Sequence, residues 1–284
     1  MAARRLKSPT KEGSAFVKWL LVGVLLISAA ISCYPFIYMV LMSFMETFSP
    51  QLSWADLTAD KWTLDNYVQA FRQADFLTYF KNSTIITVYS VLLNLFTAST
   101  AAYAFAKKKF TGSKTLYMLY LATMMIPGQV TLIPTFLLLK WMGLLNTYSA
   151  MTLPTCGAFG VMLIYSFMKG VPDELLEAAD LDGCSEFRKF FSIVLPLIKT
   201  VLISLAIFTF ISVWGSLVLP LIVATEPKLT PLTLAIANMK SSHTATNYGF
   251  IMAGNTIAFL PPFILYLFLQ KQFVEGIALS GTKG

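Results

Sequence analysis

The sequence predicts an all-α polytopic membrane protein: six transmembrane helices, with one long cytoplasmic loop between the fourth and fifth. Three observations carry that fold class. Of 284 residues 56% are hydrophobic and only 12% are charged, too little charge to cover a soluble domain of this length. The charges are clustered, which leaves six charge-free intervals at 19–45, 83–106, 115–139, 141–168, 200–225 and 241–270. Each can supply the roughly 20 apolar residues that cross about 30 Å of hydrocarbon as a helix. The third observation is the uneven placement of lysine and arginine.

With both termini in the cytoplasm, fifteen basic residues fall on inner segments and six on outer ones, the asymmetry that sets orientation in a bilayer. The outer six (Lys61, Arg72, Lys81, Lys140, Lys228 and Lys240) are matched by Glu46, Asp56, Asp60, Asp65, Asp75 and Glu226. The net charge of +7 is therefore all cytoplasmic, explained by topology and anionic lipid, and points to no nucleic acid. The first apolar run is far longer than the h-region of a signal peptide and no Ala-x-Ala site follows it, so it reads as a retained span. Cys33, Cys156 and Cys184 have no metal-ligand spacing and read as small apolar residues.

Taken in order, the first outer segment, 46–75, is polar, is punctuated by Ser49-Pro50 and carries Trp54 and Trp62. It predicts short interfacial helices, with the two indoles at headgroup level or against the protein. The second span ends at Lys107-Lys108-Lys109. The third contains Ile126-Pro127-Gly128 and Pro134, each proline removing a donor and bending or breaking the helix. The sixth interval starts polar, so its membrane part is predicted at 250–269, with Pro261-Pro262 inside.

The stretch 169–199 is far longer than two adjacent spans need. Pro172 suits a first helical position, and Asp173 and Glu174 complement the positive end of the helix dipole. Leu175, Ala178, Ala179 and Asp182 follow helical spacing, giving a small-residue face; Gly183 is where that helix stops. Ser185 can cap a second helix with Phe187, Phe190, Phe191 and Val194 repeating, which Leu195-Pro196 would end. By spacing alone this is either an acidic-edged knob for a soluble partner or a helix pair that merely ties two spans.

Glu177-Ala178-Ala179, three residues, Gly183, nine residues, then Ile193-Val194-Leu195-Pro196 resembles, without a gap, the EAA signature loop of binding-protein-dependent ABC importer permeases. The rest of the chain is similar to their maltose-type carbohydrate subfamily. Tyr34-Pro35, Leu64-Asp65-Asn66-Tyr67, Lys81-Asn82-Ser83, the run Ala101 to Ala106, Met125-Ile126-Pro127, Pro134 and the glycine-rich tail from Gly276 to Gly284 carry that likeness.

The resemblance implies a single transmembrane domain over 1–284 with an ATPase-coupling loop at 169–199. Glu177, Ala178, Ala179, Asp182, Gly183 and Pro196 would form the coupling helix and its turn. It implies a heterodimer with a second permease subunit, an ATPase dimer and a periplasmic or extracellular solute-binding protein, all at the bacterial inner membrane. This chain would bind no cofactor itself; ATP and Mg would belong to the partner ATPase. Trp214-Gly215-Ser216 departs from the family's usual Trp-Asn, so no role of that asparagine carries over.

Polar side chains within spans are costly and mark candidate sites. Tyr89, Asn94, Gln129, Trp214 and Asn255 form the candidate substrate path, offering aromatic faces and amides to a sugar; each is equally able to bond a neighbouring helix. No metal site and no catalytic residues are expected. His243 has no carboxylate near it, and Gly112-Ser113-Lys114-Thr115 lacks the glycines of a phosphate loop. A secondary carrier would need symmetric halves and an intramembrane ion site, neither of which is visible. Oligosaccharides are the expected cargo, with monosaccharides, glycerol-phosphate-type compounds and acidic sugars such as alginate as rivals.

Overall fold

The computed structural model describes residues 11–47, 62–73, 75–240 and 247–281, with side chains over 15–47, 62–72, 75–239 and 247–270. Trp54, His243 and the last residues of the glycine-rich tail lie outside them. The chain is all-α: α1 (Lys11–Ser43), α2 (Asp65–Gln73), α3 (Phe76–Lys107), α4 (Ser113–Ala122), α5 (Gly128–Trp141), α6 (Tyr148–Thr152) and α7 (Ala158–Met168) make the first part. The rest comprises α8 (Asp173–Leu181), α9 (Glu186–Arg188), α10 (Leu195–Leu197), α11 (Lys199–Trp214), α12 (Val218–Val223), α13 (Leu232–Lys240) and α14 (Tyr248–Gly281). Among the described residues the one β contact is an isolated bridge, Met45 to Trp62.

Among the described residues three helices are long and apolar enough to cross a membrane unbroken, and three bent pairs bring the total to six if each pair is one span. The bends follow from the sequence. Ile126 is extended, as the residue before a proline prefers to be, and Pro127 caps α5, so the two halves of the predicted third span meet at 105°. The fourth is bent by 46° where Pro154 and the extended Gly157 separate α6 from α7, a break the apolar interval did not announce.

The chain divides into two compact units. One comprises residues up to Ala70 together with Thr244–Thr256. Its α1 exposes large apolar side chains on every side, from Phe16 and Trp19 to Ile31 and Tyr34, as a helix solvated by lipid does. Buried Asn66 ties this unit together: its amide donates to the carbonyls of Ser43 (3.0 Å) and Met45 (2.8 Å) and accepts from Asn247 (3.1 Å). Tyr67 meets Ser43 at 2.6 Å, and Phe44 lies between Trp62 and Tyr67. Backbone approaches so closely here that a Cβ on Gly249 would sit 1.8 Å from the Met45 carbonyl oxygen. The Asp65-Asn66-Tyr67 motif thus fastens the strand-like exit of α1 to the start of α14.

The other unit, Phe71–His243 with Ile257 onward, is organised around α3. Small residues Ala98 and Ala102 let α7 and α11 approach closely, and Val161, Ile164, Val201 and Leu205 fill the contact. The same core continues into the loop that follows α7 through Leu176, Phe190 and Val194. A loop whose apolar face is part of the bundle core moves with the bundle.

Candidate functional site

The loop between α7 and α11 is two short helical pieces joined at a fixed turn. Pro172 is the N-cap of α8, one position earlier than the sequence predicts, with Asp173 and Glu174 in the first turn. At the far end Gly183 has φ +73°. Its N–H reaches the Asp180 carbonyl (3.0 Å) and the next N–H, of Cys184, reaches back to Ala179 (2.9 Å). That pair of bonds is a Schellman stop, and its left-handed residue is glycine because only glycine adopts it without a Cβ penalty. Ser185 then caps the next piece, its hydroxyl accepting from the Arg188 N–H.

The second piece corrects the sequence expectation. Lys189–Val194 winds as a π turn and passes into α10, so Pro196 lies within the helix instead of ending it. A wide turn just ahead of a proline relieves the crowding its ring would create four residues back. The chain breaks at Ile198, bending by 80° before α11. The charged first turn, Glu186 to Lys189, stands before that bend.

Ammonium–carboxylate pairs lock the loop to the end of α3. Lys107 meets Asp173 at 2.6 Å and donates to the Val171 carbonyl at 2.5 Å. Lys108 meets Glu186 at 2.5 Å, and the Tyr103 hydroxyl donates to the same carboxylate at 3.1 Å. Lys189 has its side chain only 3% exposed; it bonds Asp180 of α8 and Glu186 of α9, the latter at 2.6 Å. Hydrogen bonds from Lys108 and Lys189 hold the Glu186 carboxyl down at about 2, and Lys107 lowers that of Asp173. The paired carboxylates in turn raise the Lys189 ammonium.

With one face clamped, the other is left open. Leu176 and Ala179 are buried, not Leu175, whereas Glu177, Ala178, Asp182 and Gly183 are exposed. Leu181 is 92% and Phe187 78% exposed beside them. Phe190 and Val194 point into the core and Phe191 does not, so the four-residue apolar repeat splits into an inward and an outward pair. Glu177 makes no ion pair among the described residues.

The candidate substrate-path residues are not gathered in one place. Asn94, buried on α3, donates to the Thr209 hydroxyl at 2.9 Å, but its own oxygen has no partner. It lines a 490 Å³ cavity with Thr155, Gly157, Phe208 and Ser212. Thr87 and Ser90, buried on the same helix, also have unpartnered hydroxyls. Trp214 is packed: its N–H donates to the Ala258 carbonyl (2.8 Å) and its ring lies against Phe80 and Phe210. Tyr89 and Gln129 are exposed. Asn255, half-buried, belongs to the other compact unit.

The model of the binding-protein-dependent transport system inner membrane component matches residues 94–278. The chain belongs to that family. It is 32% identical over 278 residues to the arabinooligosaccharides transport system permease protein AraQ of Halalkalibacterium halodurans, spanning 96% of this chain and 99% of that one. The lactose transport system permease protein LacG of Rhizobium radiobacter is 31% identical over 256 residues, 90% of this chain and 93% of its own. In fold it is similar to a chain of a bacterial ABC transporter that imports the acidic polysaccharide alginate, with TM-score 0.80, 21% identity, and coverage of 95% of this chain and all of that one. The resemblance to carbohydrate permeases read from the motifs agrees with the relatives' names. This is a membrane permease subunit with a transport role.

Two motifs that resemblance alone had flagged now have physical roles in the permease. In Lys81-Asn82-Ser83, the buried Asn82 amide donates to the carbonyls of Lys228 (2.9 Å) and Thr230 (3.0 Å) and accepts from the Tyr148 hydroxyl (2.8 Å). Ser83 accepts from the Leu232 N–H at 2.8 Å. In the alanine-rich run, Ala102 is the close-packed residue and Tyr103 reaches the loop. Sequence reasoning missed Lys189, Asp180 and Glu186; the available signal was a lysine placed between apolar core positions, Glu186 three residues before it and Asp180 nine before. It also passed over Thr87 and Ser90, which share the helical face of Asn94.

Proposed function

We propose that this permease is one of two transmembrane subunits of an ATP-driven importer for a carbohydrate, with an oligosaccharide as cargo. The full chain, 1–284, acts as one transmembrane domain, with both termini in the cytoplasm and the 169–199 loop as its coupling element. The observation that carries this reading is the open face of that loop. Leu181 and Phe187 stand out from a helix pair that is otherwise clamped, beside exposed small Ala178 and unpaired Glu177. An apolar, small-residue knob of this kind suits a cleft on a soluble partner, where Glu177 meets a basic residue.

The partner is an ATPase dimer, which holds ATP and Mg. Its closure draws this loop and that of the second permease together. Because the loop is bonded to α3 and shares its core, the displacement reaches the spans as rigid-body motion and alternates access. A solute-binding protein delivers the sugar from outside, as the family's description suggests. Asn94, with its unpartnered oxygen at a cavity, is the strongest candidate for the path; Tyr89, Gln129, Trp214 and Asn255 are separate candidates for sugar contact.

The test is uptake together with complex purification. Glu177→Lys and Gly183→Trp are expected to abolish uptake and loss of the co-purifying ATPase is expected with them, while the permease remains in the membrane at normal level. Normal transport by either variant would refute the coupling role. Affinity of the cognate binding protein across a sugar panel identifies the cargo.

A further inference from the structure

A second site lies apart from the coupling face, at the junction of α3, α4 and α7. A groove of 920 Å³ opens there, and four ammonium groups line it: Lys108, Lys109, Lys114 and Lys169. No carboxylate lines it. On the adjoining loop Glu186 is engaged by Lys108 and Lys189, and Asp173 by Lys107. Lys109 and Lys114 make no ion pair among the described residues, and Lys169 lies over the Tyr165 ring at 5.1 Å. Three ammonium groups lining one concavity with no carboxylate on its wall make a positive surface that favours a bound anion.

The groove wall is aromatic. Phe105 packs on Tyr117 (5.5 Å between centroids) and Tyr117 on Tyr165 (4.1 Å). Along α4 the surface then turns apolar, with Leu116 52% and Leu119 62% exposed, in a segment of membrane-crossing composition. A cationic groove followed by a lipid-facing apolar helix matches an amphiphile, with phosphate among the lysines and acyl chains along Leu116 and Leu119. A soluble phosphate would use only half of that surface.

We infer that this groove is a binding site for the headgroup of an anionic phospholipid, held by Lys109, Lys114 and Lys169 between α3, α4 and α7. Basic pockets between spans at a membrane face bind such headgroups. One consequence is mechanical: the groove shares Lys108 with the clamp on Glu186, so a bound lipid braces the element that carries the coupling loop.

The full chain, purified with the subunits that accompany it, is delipidated and re-equilibrated with phosphatidylglycerol or phosphatidylcholine, and retained lipid is counted by native mass spectrometry. Preferential retention of phosphatidylglycerol is expected, and each of Lys109→Gln, Lys114→Gln and Lys169→Gln should weaken it about fivefold. Lys18→Gln and Lys199→Gln serve as controls that keep it. A photoreactive phosphatidylglycerol on the unmodified protein should label peptides from 105–119, which keeps the test valid if a variant misfolds. Equal retention of the neutral lipid, labelling only elsewhere, or wild-type retention by the triple variant overturns the inference. So does displacement of the lipid by inorganic phosphate that itself stays bound, since that outcome assigns the groove to a soluble phosphate.

Discussion

At its first turns α3 is held by neutral groups: Asn82 donates to the carbonyls of Lys228 and Thr230, and Ser83 accepts from the Leu232 N–H at the start of α13, with Asn82, Ser83, Thr230 and Leu232 all buried. At its last turn the same helix is held by charges: Lys107 and Lys108 pair with Asp173 and Glu186, whose side chains are 75% and 53% exposed. The difference is one of adjustability. Buried amide-to-carbonyl bonds have one good geometry and strand costly groups when broken. Ion pairs to exposed carboxylates are individually weak and are screened by salt. One end of α3 is fastened by buried neutral bonds, and the end that bears the loop by ion pairs that pH and salt can weaken.

The sharpest way to break this contrast is Asn82→Leu. It removes the partner of two carbonyls and of the Tyr148 hydroxyl, and the permease is expected to lose roughly 2–4 kcal/mol. Thermal unfolding in nanodiscs should show this, with hydrogen exchange accelerated around 228–232 and not in the loop. Wild-type stability would contradict the fixed-end reading.

Next in size is the double change Asp180→Asn and Glu186→Gln, which leaves the Lys189 ammonium without either anion. Proteolysis within 173–197 should quicken roughly tenfold, because local opening has become easier. Protection near Asn82 should not change. If both regions loosen together, the two ends are not independent fastenings.

A pH series discriminates further. Asp173 and Glu186 are held below the ordinary carboxylate range, Glu186 to about 2. Their contribution is therefore complete above the unfolded value near 4–4.5 and is lost as pH falls toward 2. Protection factors in 173–197 should be level from pH 7 to 5 and fall below about 4.5, while those of the neutral end stay level throughout. Raised salt should weaken the same region modestly. The smallest expected effect is that of Gly183→Ala. Nothing lies within 4 Å of the added Cβ, so the penalty is conformational alone, about 1 kcal/mol, confined to the loop turn.

The six apolar intervals, the break at Pro127, the stop at Gly183 and the cap at Ser185 could be read from the sequence because each is decided by residues within a turn of one another. The clamp could not. Lys107, Lys108 and Lys189 enter a topology count simply as cytoplasmic charge, and their partners lie on elements that only the fold brings together. The bend at Pro154 was hidden for a related reason: charge-free length measures what lipid accepts, not where the backbone is extended. Trp214 reads from the sequence as a substrate-path candidate, and its N–H partner, a carbonyl on α14 44 residues later, is visible only in the fold.

The left-handed turn at Gly183 also has a genetic consequence. Every single-base change of a glycine codon that alters the residue installs a Cβ or ends the chain. Asparagine is more than one base change away, and aspartate, the one-step replacement that best tolerates this conformation, adds a negative charge next to Asp182. Any single-step missense change at this turn therefore meets a backbone or charge penalty before its side chain has touched anything, since nothing lies within 4 Å of the added Cβ.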